Sequence, residues 1–292
     1  MIASVVPKRI IVSGDDFGMS AGVNVGIIAG HRQGILTDAS LMVNGAACRQ
    51  AVELAHATPT LSVGLHLVLV QGTAAAVPSS VPGLVDGAER FRTNSVAAGL
   101  RYFFAPALRA QLEREICAQL EKFFAFGLTL SHVDGHLNIH MHPTVLAILL
   151  RLAPRYGIRA IRLPREPWTV SLRLDRREPG RKLVEAVIFR SLSRYAAPRL
   201  NGQGIRYPDQ VFGLHQSGHM DERYVLGVLS ALPAGLTEIY SHPAVSDEET
   251  RRWRPPDYEG DAELAALTSP QVRAAVQEAA IQRVSYRELA CG

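Results

Sequence analysis

The fold is decided by the stretch RIIVSGDDFGMSAGVNVGIIAGHRQGILTDASLMV, residues 9–43. Residues 9–13 are apolar and β-branched, which predicts a buried strand, and the glycines and aspartates at 14–18 predict a turn. A helix with a serine N-cap is predicted over 21–34, and another strand over 35–43. A strand, a helix and a second strand in succession are typical of an α/β protein with a largely parallel sheet.

This alternation continues through the rest of the chain. Residues 72–94, rich in Ala, Pro, Ser and Gly, predict a long loop that is a candidate lid. Polar residues follow five of the predicted strands, and (β/α) barrels carry their active sites at strand carboxyl ends, so the pattern favours a barrel over an open sheet. The further strands are predicted at 61–70, 129–133, 160–163, 237–241 and 283–285, and the further helices at 46–57, 113–126, 144–156, 183–195 and 270–280.

Composition narrows the class of protein. Hydrophobic residues make up 47% of the 292, so a sizeable core forms without disulfides. The three cysteines lie far apart and form no CxxC pair, which disfavours a zinc ribbon and favours a reducing compartment. Neither a signal peptide nor an apolar run of about 18 residues is evident, so we expect a cytoplasmic protein. Neither GxGxxG after the first strand nor GxxxxGKS/T occurs, which disfavours nucleotide sites, and no nucleic-acid partner is expected.

Charge is spread unevenly along the sequence. Residues 155–206 hold 13 Arg and Lys against four Asp and Glu, although the formal net charge of the whole chain is only +4. Such an excess indicates an anionic partner for one face. With apolar residues at 100–104 and 186–189, this segment either forms a rim that contacts an anionic membrane or is a solvated, basic helical excursion, around 165–206, from a single domain of residues 1–292.

The densest group of chemically active side chains is HVDGHLNIHMH, residues 132–142. In an extended backbone His132, Asp134 and His136 share one face, whereas in a helix His136 and His140 do so. Either geometry presents ligands to a metal ion, and two histidines with a carboxylate are one of the known catalytic zinc sets. The alternative is a loop of surface histidines.

Other segments carry groups for the same chemistry. Asp15 and Asp16 either divide the work of holding a cation and accepting a proton or cap the helix that follows. His66 lies in an apolar strand, where a lone histidine is more often a hydrogen-bonded core residue than a ligand. Arg162 either pairs with Asp15 and keeps it ionised or forms a surface salt bridge. His242 is either a general acid or a buried structural histidine.

Seven short motifs, spread over nearly the whole chain, form a specific pattern. They are SGDDFGMS at 13–20, SLMVN at 40–44, VGLHL at 63–67, SHVDGH at 131–136, IRLP at 161–164, EIYSHP at 238–243 and VSYREL at 284–289. With these motifs the chain resembles the YdjC/ChbG-like carbohydrate deacetylases. The alanine that follows EIYSHP and the YFF at 102–104 resemble the branch associated with hopanoid biosynthesis, HpnK.

The resemblance implies an irregular TIM-like (β/α) barrel of the glycoside hydrolase/deacetylase type. It also implies a hydrolase acting on a linear amide C–N bond, which removes the N-acetyl group of an amino sugar with one divalent metal ion, Mg²⁺ or Zn²⁺. The metal ligands carried over are Asp16, His66 and His136, and Asp15 is carried over as the base.

The remaining candidates complete a mechanistic hypothesis. His242 is expected to protonate the leaving amine, and Arg162 to orient the base. Because one ion cannot take every side chain of the histidine run, the others are expected to contact substrate or to orient the ligands. These are His132, Asp134 and His140.

The branch implies a lipid-linked substrate, N-acetylglucosaminyl bacteriohopanepolyol, which is deacetylated to a glucosaminyl hopanoid. One alternative is a deacetylase of soluble chito-oligosaccharides. Another is a non-catalytic metal- or lipid-binding protein, which Asp15 disfavours because binding alone needs no base. A metallophosphoesterase is disfavoured because no carboxylate cluster for a second metal is evident. Peripheral contact with the inner face of an anionic membrane and a homodimer are left open.

Overall fold

A curled parallel sheet forms the centre of the computed structural model, which describes residues 6–291. Residues 1–5 and Gly292, on which the predictions about a signal peptide and about a single domain over 1–292 partly fall, lie outside the described residues. The strands run in the order β4-β3-β2-β1-β6-β5, all pairs parallel, and β7 pairs with the beginning of β1. They are β1 (Lys8–Phe17), β2 (Asp38–Leu41), β3 (Ser62–Leu67), β4 (Val133–Gly135), β5 (Gln210–Phe212), β6 (Gly235–Ser241) and β7 (Gln282–Arg283).

Helices alternate with the strands, as the sequence predicts. Ser20 caps the first helix, because its side chain accepts a hydrogen bond from the backbone N–H of Val23. The helices are α1 (Ala21–Gln33), α2 (Cys48–His56), α3 (Ser95–Phe104), α4 (Arg109–Ala125), α5 (Pro143–Tyr156), α6 (Trp168–Leu174), α7 (Pro179–Asn201), α8 (Glu222–Ala231), α9 (Glu248–Trp253), α10 (Gly260–Thr268), α11 (Pro270–Glu278) and α12 (Tyr286–Cys291). The helices α6 and α7 lie in the segment predicted as a basic excursion.

An irregular segment, residues 159–165, spans the gap between β4 and β5. On one side Val133 donates to the carbonyl of Ala160 at 3.0 Å, and on the other Val211 donates to the carbonyl of Arg165 at 3.2 Å. The regular strand expected at 160–163 is therefore wrong, since this segment makes only isolated bridges. Its backbone still completes the curl of the sheet, which confirms the irregular TIM-like (β/α) barrel.

Strand β1 is longer than predicted. The turn expected at 14–18 is wrong, because the strand continues to Phe17 with a register irregularity against β2 between Gly14 and Phe17. Asp16 lies within this irregularity at a φ of 67°, in the left-handed region that Asp tolerates better than most residues. The backbone is therefore distorted where the two adjacent carboxylates lie.

The histidine run is extended only at its start, and it is not α-helical beyond that point. The strand expected at 129–133 forms at Val133–Gly135 instead, and His136–Met141 is a 3₁₀ segment in which Leu137 and Asn138 have φ values of 52° and 54°. This kink lies between His136 and His140, so the one-face pair predicted for a helix does not form, whereas the backbone between His132 and His136 is the extended strand β4. His142 accepts a hydrogen bond from the backbone N–H of Thr144 at the start of α5.

The second half of the barrel departs most from the prediction. The sequence did not indicate β5, α8, α9 or α10, and the helix expected to be last, at 270–280, is followed by α12. The loop expected at 72–94 is confirmed, with one short 3₁₀ turn at Pro78–Ser80. Over the part of the chain that the structure describes, no helix has the length and apolar character needed to cross a bilayer.

Candidate metal centre and active site

The carboxyl ends of β1, β3, β4 and β6 meet around a cavity of about 220 Å³. Asp15 and Asp16 are in the last part of β1, and His66 is in the last part of β3. His136 directly follows β4, and His242 directly follows β6. These five side chains line the cavity. The four other predicted site residues are buried and absent from its lining: His132, Asp134, His140 and Arg162.

Three of the lining side chains converge on one point. Asp16 Oδ1 lies 3.1 Å from His136 Nδ1 and 3.5 Å from His66 Nε2, and the three ligand atoms lie within 4.8 Å of one another. Burial raises the pKa of Asp16, but the hydrogen bond and charge of His136 outweigh burial and hold that pKa below its ordinary value. An ionised carboxylate and two imidazoles are a donor set that fits a divalent cation.

A second cluster of three potential ligands lies beside the first, but it does not suit a metal cation. Asp15, His66 and Asp134 lie equally close together. However, Arg162 Nη1 lies 2.6 Å from Asp15 Oδ2 and 2.7 Å from Asp134 Oδ2. A guanidinium therefore already supplies the positive charge between these carboxylates.

Arg162 is the centre of a buried ionic network. Its side chain is 1% exposed, so the surface salt bridge considered from the sequence is wrong. The guanidinium holds both oxygens of Asp15, at 2.6 and 2.8 Å, and donates from Nε and Nη2 to Glu238 Oε1 at 3.0 and 2.8 Å. Glu238 is a network member that sequence reasoning missed. The available signal was an acidic residue inside the apolar strand β6.

The carboxyl group of Asp15 titrates near neutral pH. Burial raises its pKa to about 6, although the charge of Arg162 opposes the rise, and the nearby charge of Asp134 adds to it. A group that titrates near the working pH can both accept and release a proton. The capping role considered for the two aspartates is wrong, since Ser20 caps α1.

Asp134 connects His66, one of the three candidate metal ligands, to Ser40, which does not line the cavity. Its Oδ1 lies 2.8 Å from His66 Nδ1, which leaves Nε2 of that imidazole directed to Asp16. Its Oδ2 accepts a hydrogen bond from Ser40 at 2.8 Å. A carboxylate on the far nitrogen of a histidine ligand fixes the ring and its tautomer.

The two buried histidines of the run 132–142 that do not line the cavity contact the residues around Asp134 and Arg162. His132 Nε2 lies 3.1 Å from Ser40 Oγ, and its ring stacks on Tyr286 with centroids 4.0 Å apart. His140 Nε2 lies 2.9 Å from the carbonyl of Arg162. Burial lowers the pKa of His132 to about 3 and that of His140 to about 4, so both rings are neutral near pH 7. His140 is fully buried, which argues against direct substrate contact.

His242 lines the same cavity as the metal-ligand candidates. Its backbone N–H donates to Glu263, and within the described residues its Nδ1 has no hydrogen-bond partner. Burial lowers the pKa of His242 to about 3, so the free imidazole is neutral at pH 7. The side chain is both buried and directed into the cavity, so the two descriptions considered from the sequence do not exclude each other.

Part of the remaining wall comes from two loops in which sequence reasoning found no site. Trp253, Arg254 and Tyr258 line the cavity from the loop after β6, and Leu214 and Ser217 do so from the loop after β5. Both loops lie where helices or strands were not predicted. The RRWRPP sequence at 251–256 was the only signal, and charge with an aromatic residue alone does not distinguish a site from a surface.

Comparison of the sequence with known proteins identifies the family of this chain. A family model described as YdjC-like protein matches residues 9–278. The chain belongs to the YdjC-like family. This YdjC-like chain is 34% identical over 281 residues to a "Carbohydrate deacetylase" of Brevibacillus brevis, with 96% of this chain and 99% of the relative covered. It is 31% identical over 295 residues to a "Chitooligosaccharide deacetylase" of an Enterobacter species, with 97% and 99% covered.

A solved structure supports the fold of this YdjC-like chain. An Enterococcus faecalis protein superposes with a TM-score of 0.75 at 25% identity, covering 97% of this chain and 99% of that one. The likeness therefore extends over the whole barrel, including the strand ends that carry the candidate site.

Proposed function

We propose that the protein is a metal-dependent hydrolase that removes the N-acetyl group of an amino sugar. The observation that carries the proposal is the position of Asp15 beside the Asp16, His66 and His136 group in one cavity. This is a candidate base next to a candidate metal site, the arrangement that metal-assisted hydrolysis of an amide uses. The names of the two relatives, both deacetylases of carbohydrates, support the same chemistry.

The residues of the cavity divide the reaction between them. A divalent ion held by Asp16, His66 and His136 would polarise the acetamide carbonyl and lower the pKa of a bound water. Asp15 takes the proton of the attacking water while Arg162 holds both of its oxygens. The new C–O bond forms, the C–N bond breaks, and acetate and a free amine result.

His242 is assigned to the leaving amine. Its imidazole is neutral in the free enzyme because burial lowers its pKa to about 3. Negative charge that develops on the acetamide oxygen favours the protonated form of a nearby imidazole. His242 is therefore expected to take up a proton from solvent as this charge develops and to deliver it to nitrogen as the C–N bond breaks, while Asp15 later releases to solvent the proton of the attacking water.

The identity of the metal is a separate part of the proposal. Two histidines and a carboxylate suit Zn²⁺, and Mg²⁺ is the second candidate because its sites also use carboxylates. Acetate release should stop with a chelator and return with one of the two ions. A His136→Ala protein that keeps full metal occupancy would refute the ligand set.

We further propose a lipid-linked substrate, N-acetylglucosaminyl bacteriohopanepolyol. A groove of about 790 Å³ adjoins the catalytic cavity, and Phe189 and Leu214 line both. One face of α7 forms its wall, with apolar residues that include Leu183, Ala186 and Val187. The groove therefore offers an apolar surface to whatever is attached to a sugar in the cavity.

A soluble chito-oligosaccharide is the second candidate substrate. A second cavity, of about 230 Å³, also adjoins the catalytic cavity, and Met19, Gln71 and Trp253 line both. An indole ring offers a flat apolar surface on which a sugar ring can pack. Acetate release from diacetylchitobiose and from an N-acetylglucosaminyl lipid, each with and without chelator, distinguishes the two substrates. No release from either would refute the deacetylase and favour the non-catalytic metal- or lipid-binding protein.

A peripheral membrane contact accompanies the lipid-linked substrate. Val184 and Ile188 on α7 and Phe103 and Phe104 on α3 are exposed apolar side chains, and α7 also carries exposed arginines. Apolar side chains among basic ones are typical of helices that bind anionic membrane surfaces. Flotation with anionic vesicles at low salt tests this contact. A homodimer that covers the same side chains instead would appear in sedimentation and would leave flotation negative.

A further inference from the structure

Arg254 is a buried cation whose hydrogen-bonding capacity is largely unused. The residue is 7% exposed and lines the catalytic cavity. Its Nη1 donates to the carbonyl of His242 at 2.6 Å, whereas Nε and Nη2 have no hydrogen-bond partner among residues 6–291. Buried polar groups are nearly always paired, and buried charged ones lose most when unpaired. These donors therefore indicate a ligand that the protein itself does not supply.

The two oxygens of Asp16 face in different directions. Oδ1 faces His136 and His66, and Oδ2 lies 3.5 Å from Arg254 Nη2. The separation from Arg254 is too long for a good hydrogen bond. Arg254 thus lies beside the candidate metal group, but on the side away from its imidazoles.

A second buried carboxylate, Glu263, makes no hydrogen bond to Arg254 either. Glu263 accepts hydrogen bonds from the backbone N–H groups of Met220 and His242, one on each oxygen. Asp16 and Glu263 influence Arg254 through charge, but neither satisfies its free N–H groups. An anion that enters the cavity is therefore the partner that fits.

We infer that Arg254 forms a binding site for a small carboxylate, the acetate that the reaction releases. This inference rests on the proposed deacetylase function. Hydrolysis turns a neutral acetyl group into a carboxylate as water oxygen bonds to the carbonyl carbon and nitrogen leaves. A guanidinium presents N–H groups in a planar fork that matches a carboxylate.

A different role for Arg254 makes opposite predictions. If the guanidinium only balances the charge of Asp16, loss of the guanidinium leaves that carboxylate charge uncompensated. Metal binding then becomes tighter, and the affinity for acetate does not change. If Arg254 binds the carboxylate, its loss weakens acetate binding whether or not metal is present.

The test is calorimetric titration of sodium acetate, with acetamide as the neutral analogue, into the full-length protein. It is run after chelation and again after loading with Mg²⁺ or Zn²⁺. The variants are Arg254→Gln and Arg254→Lys, and the control is Arg251→Gln, which removes an exposed arginine of the preceding helix α9. We expect acetate affinity to fall about tenfold or more in Arg254→Gln, the loss of one charge-assisted hydrogen bond. It should fall less in Arg254→Lys and stay unchanged in the control.

Two results would overturn the inference. One is wild-type acetate affinity in either Arg254 variant. The other is an equal loss of acetate and acetamide binding, which indicates a changed cavity shape. Thermal melting followed by circular dichroism checks the fold, and if Arg254→Gln does not fold, Arg254→Lys alone decides. Acetate release by the wild-type protein is scored separately, so failure of the deacetylase proposal is distinguishable from failure of the anion site.

Discussion

For the substitution Arg162→Met, the structure predicts both the size of the loss of stability and its dependence on pH. Methionine keeps much of the length of the side chain but removes the charge that three buried carboxylates share. Arg162 lies within 2.6 to 2.8 Å of oxygens of Asp15, Asp134 and Glu238, and all four side chains are 4% exposed or less. The variant therefore leaves negative groups in the barrel interior without a counter-charge.

The expected loss of stability is large. Breaking a buried ion pair by removing one partner costs about 3–5 kcal/mol, because the other charge stays buried. Here three partners are left, so we expect a value at or above the upper end, about 5 kcal/mol, at pH 7.5. Many single domains have about 5–15 kcal/mol in total, so the variant is expected to be marginally stable.

The loss should also depend on pH, with a defined sign. Without the guanidinium, burial and mutual repulsion raise the carboxyl pKa values of the folded variant above those of the unfolded chain. The folded variant then binds more protons than the unfolded one, so its stability rises as pH falls toward 5.5. The difference from wild type should shrink by about 1.4 kcal/mol per pH unit for each proton taken up.

Urea unfolding at pH 7.5 and pH 5.5, followed by circular dichroism, measures both effects. Arg159→Met, an exposed arginine three positions earlier, is the matched control and should change stability by less than about 0.5 kcal/mol. A loss below about 1 kcal/mol at pH 7.5, or a loss that is the same at both pH values, would refute the account of Arg162 as a shared counter-ion.

Three further predictions concern the reaction. Asp15→Asn should lower kcat by about 10²–10⁴-fold while metal content measured by mass spectrometry stays at the wild-type level, and wild-type turnover in this variant would exclude Asp15 as the base. Because burial raises the pKa of Asp15 to about 6, and a base must be ionised, wild-type kcat/KM should fall as pH decreases through about 6, whereas a flat profile between pH 5 and 8 contradicts this assignment. Asp134→Asn, which alters the partner of His66 Nδ1, should weaken metal affinity in a competition titration by about 10–100-fold, and unchanged affinity would remove Asp134 as the group that orients His66.

Periodicity and composition predicted the first half of the barrel better than the second. Between residues 9 and 67 the strands are short apolar runs and α1 has a clear N-cap, so local signals and tertiary structure agree. The apolar residues at 160–163 predict a regular strand, but the segment at 159–165 makes only isolated bridges because it spans the gap between β4 and β5. Closure of a barrel is a tertiary condition that no local pattern reports.

The sequence predicts the candidate metal ligands, but not which charged residues around them are buried. His66, Asp16 and His136 were identified through motif resemblance, and the structure brings them together. The roles of Glu238 and Arg254 were missed, because each depends on a neighbour far away in sequence. Arg162 and Glu238, for example, are 76 positions apart. A sequence displays charged residues but not which of them are buried, and burial turns these two into parts of the site.

Asp15 and Asp16 are neighbours in sequence and equally buried, at 3% and 2% exposure, so burial alone cannot give them different properties. On a regular strand their side chains would point to opposite faces. The φ of 67° at Asp16 breaks that alternation, and both side chains line the cavity. They then meet different partners. Burial raises the pKa of Asp15 to about 6, since the one guanidinium that opposes the rise is shared with two other carboxylates. Asp16 faces imidazoles and Arg254, and its pKa is held below the ordinary value. A carboxyl group that titrates near neutrality suits proton transfer, and one that stays ionised suits a cation, so one backbone irregularity is sufficient to separate the two tasks.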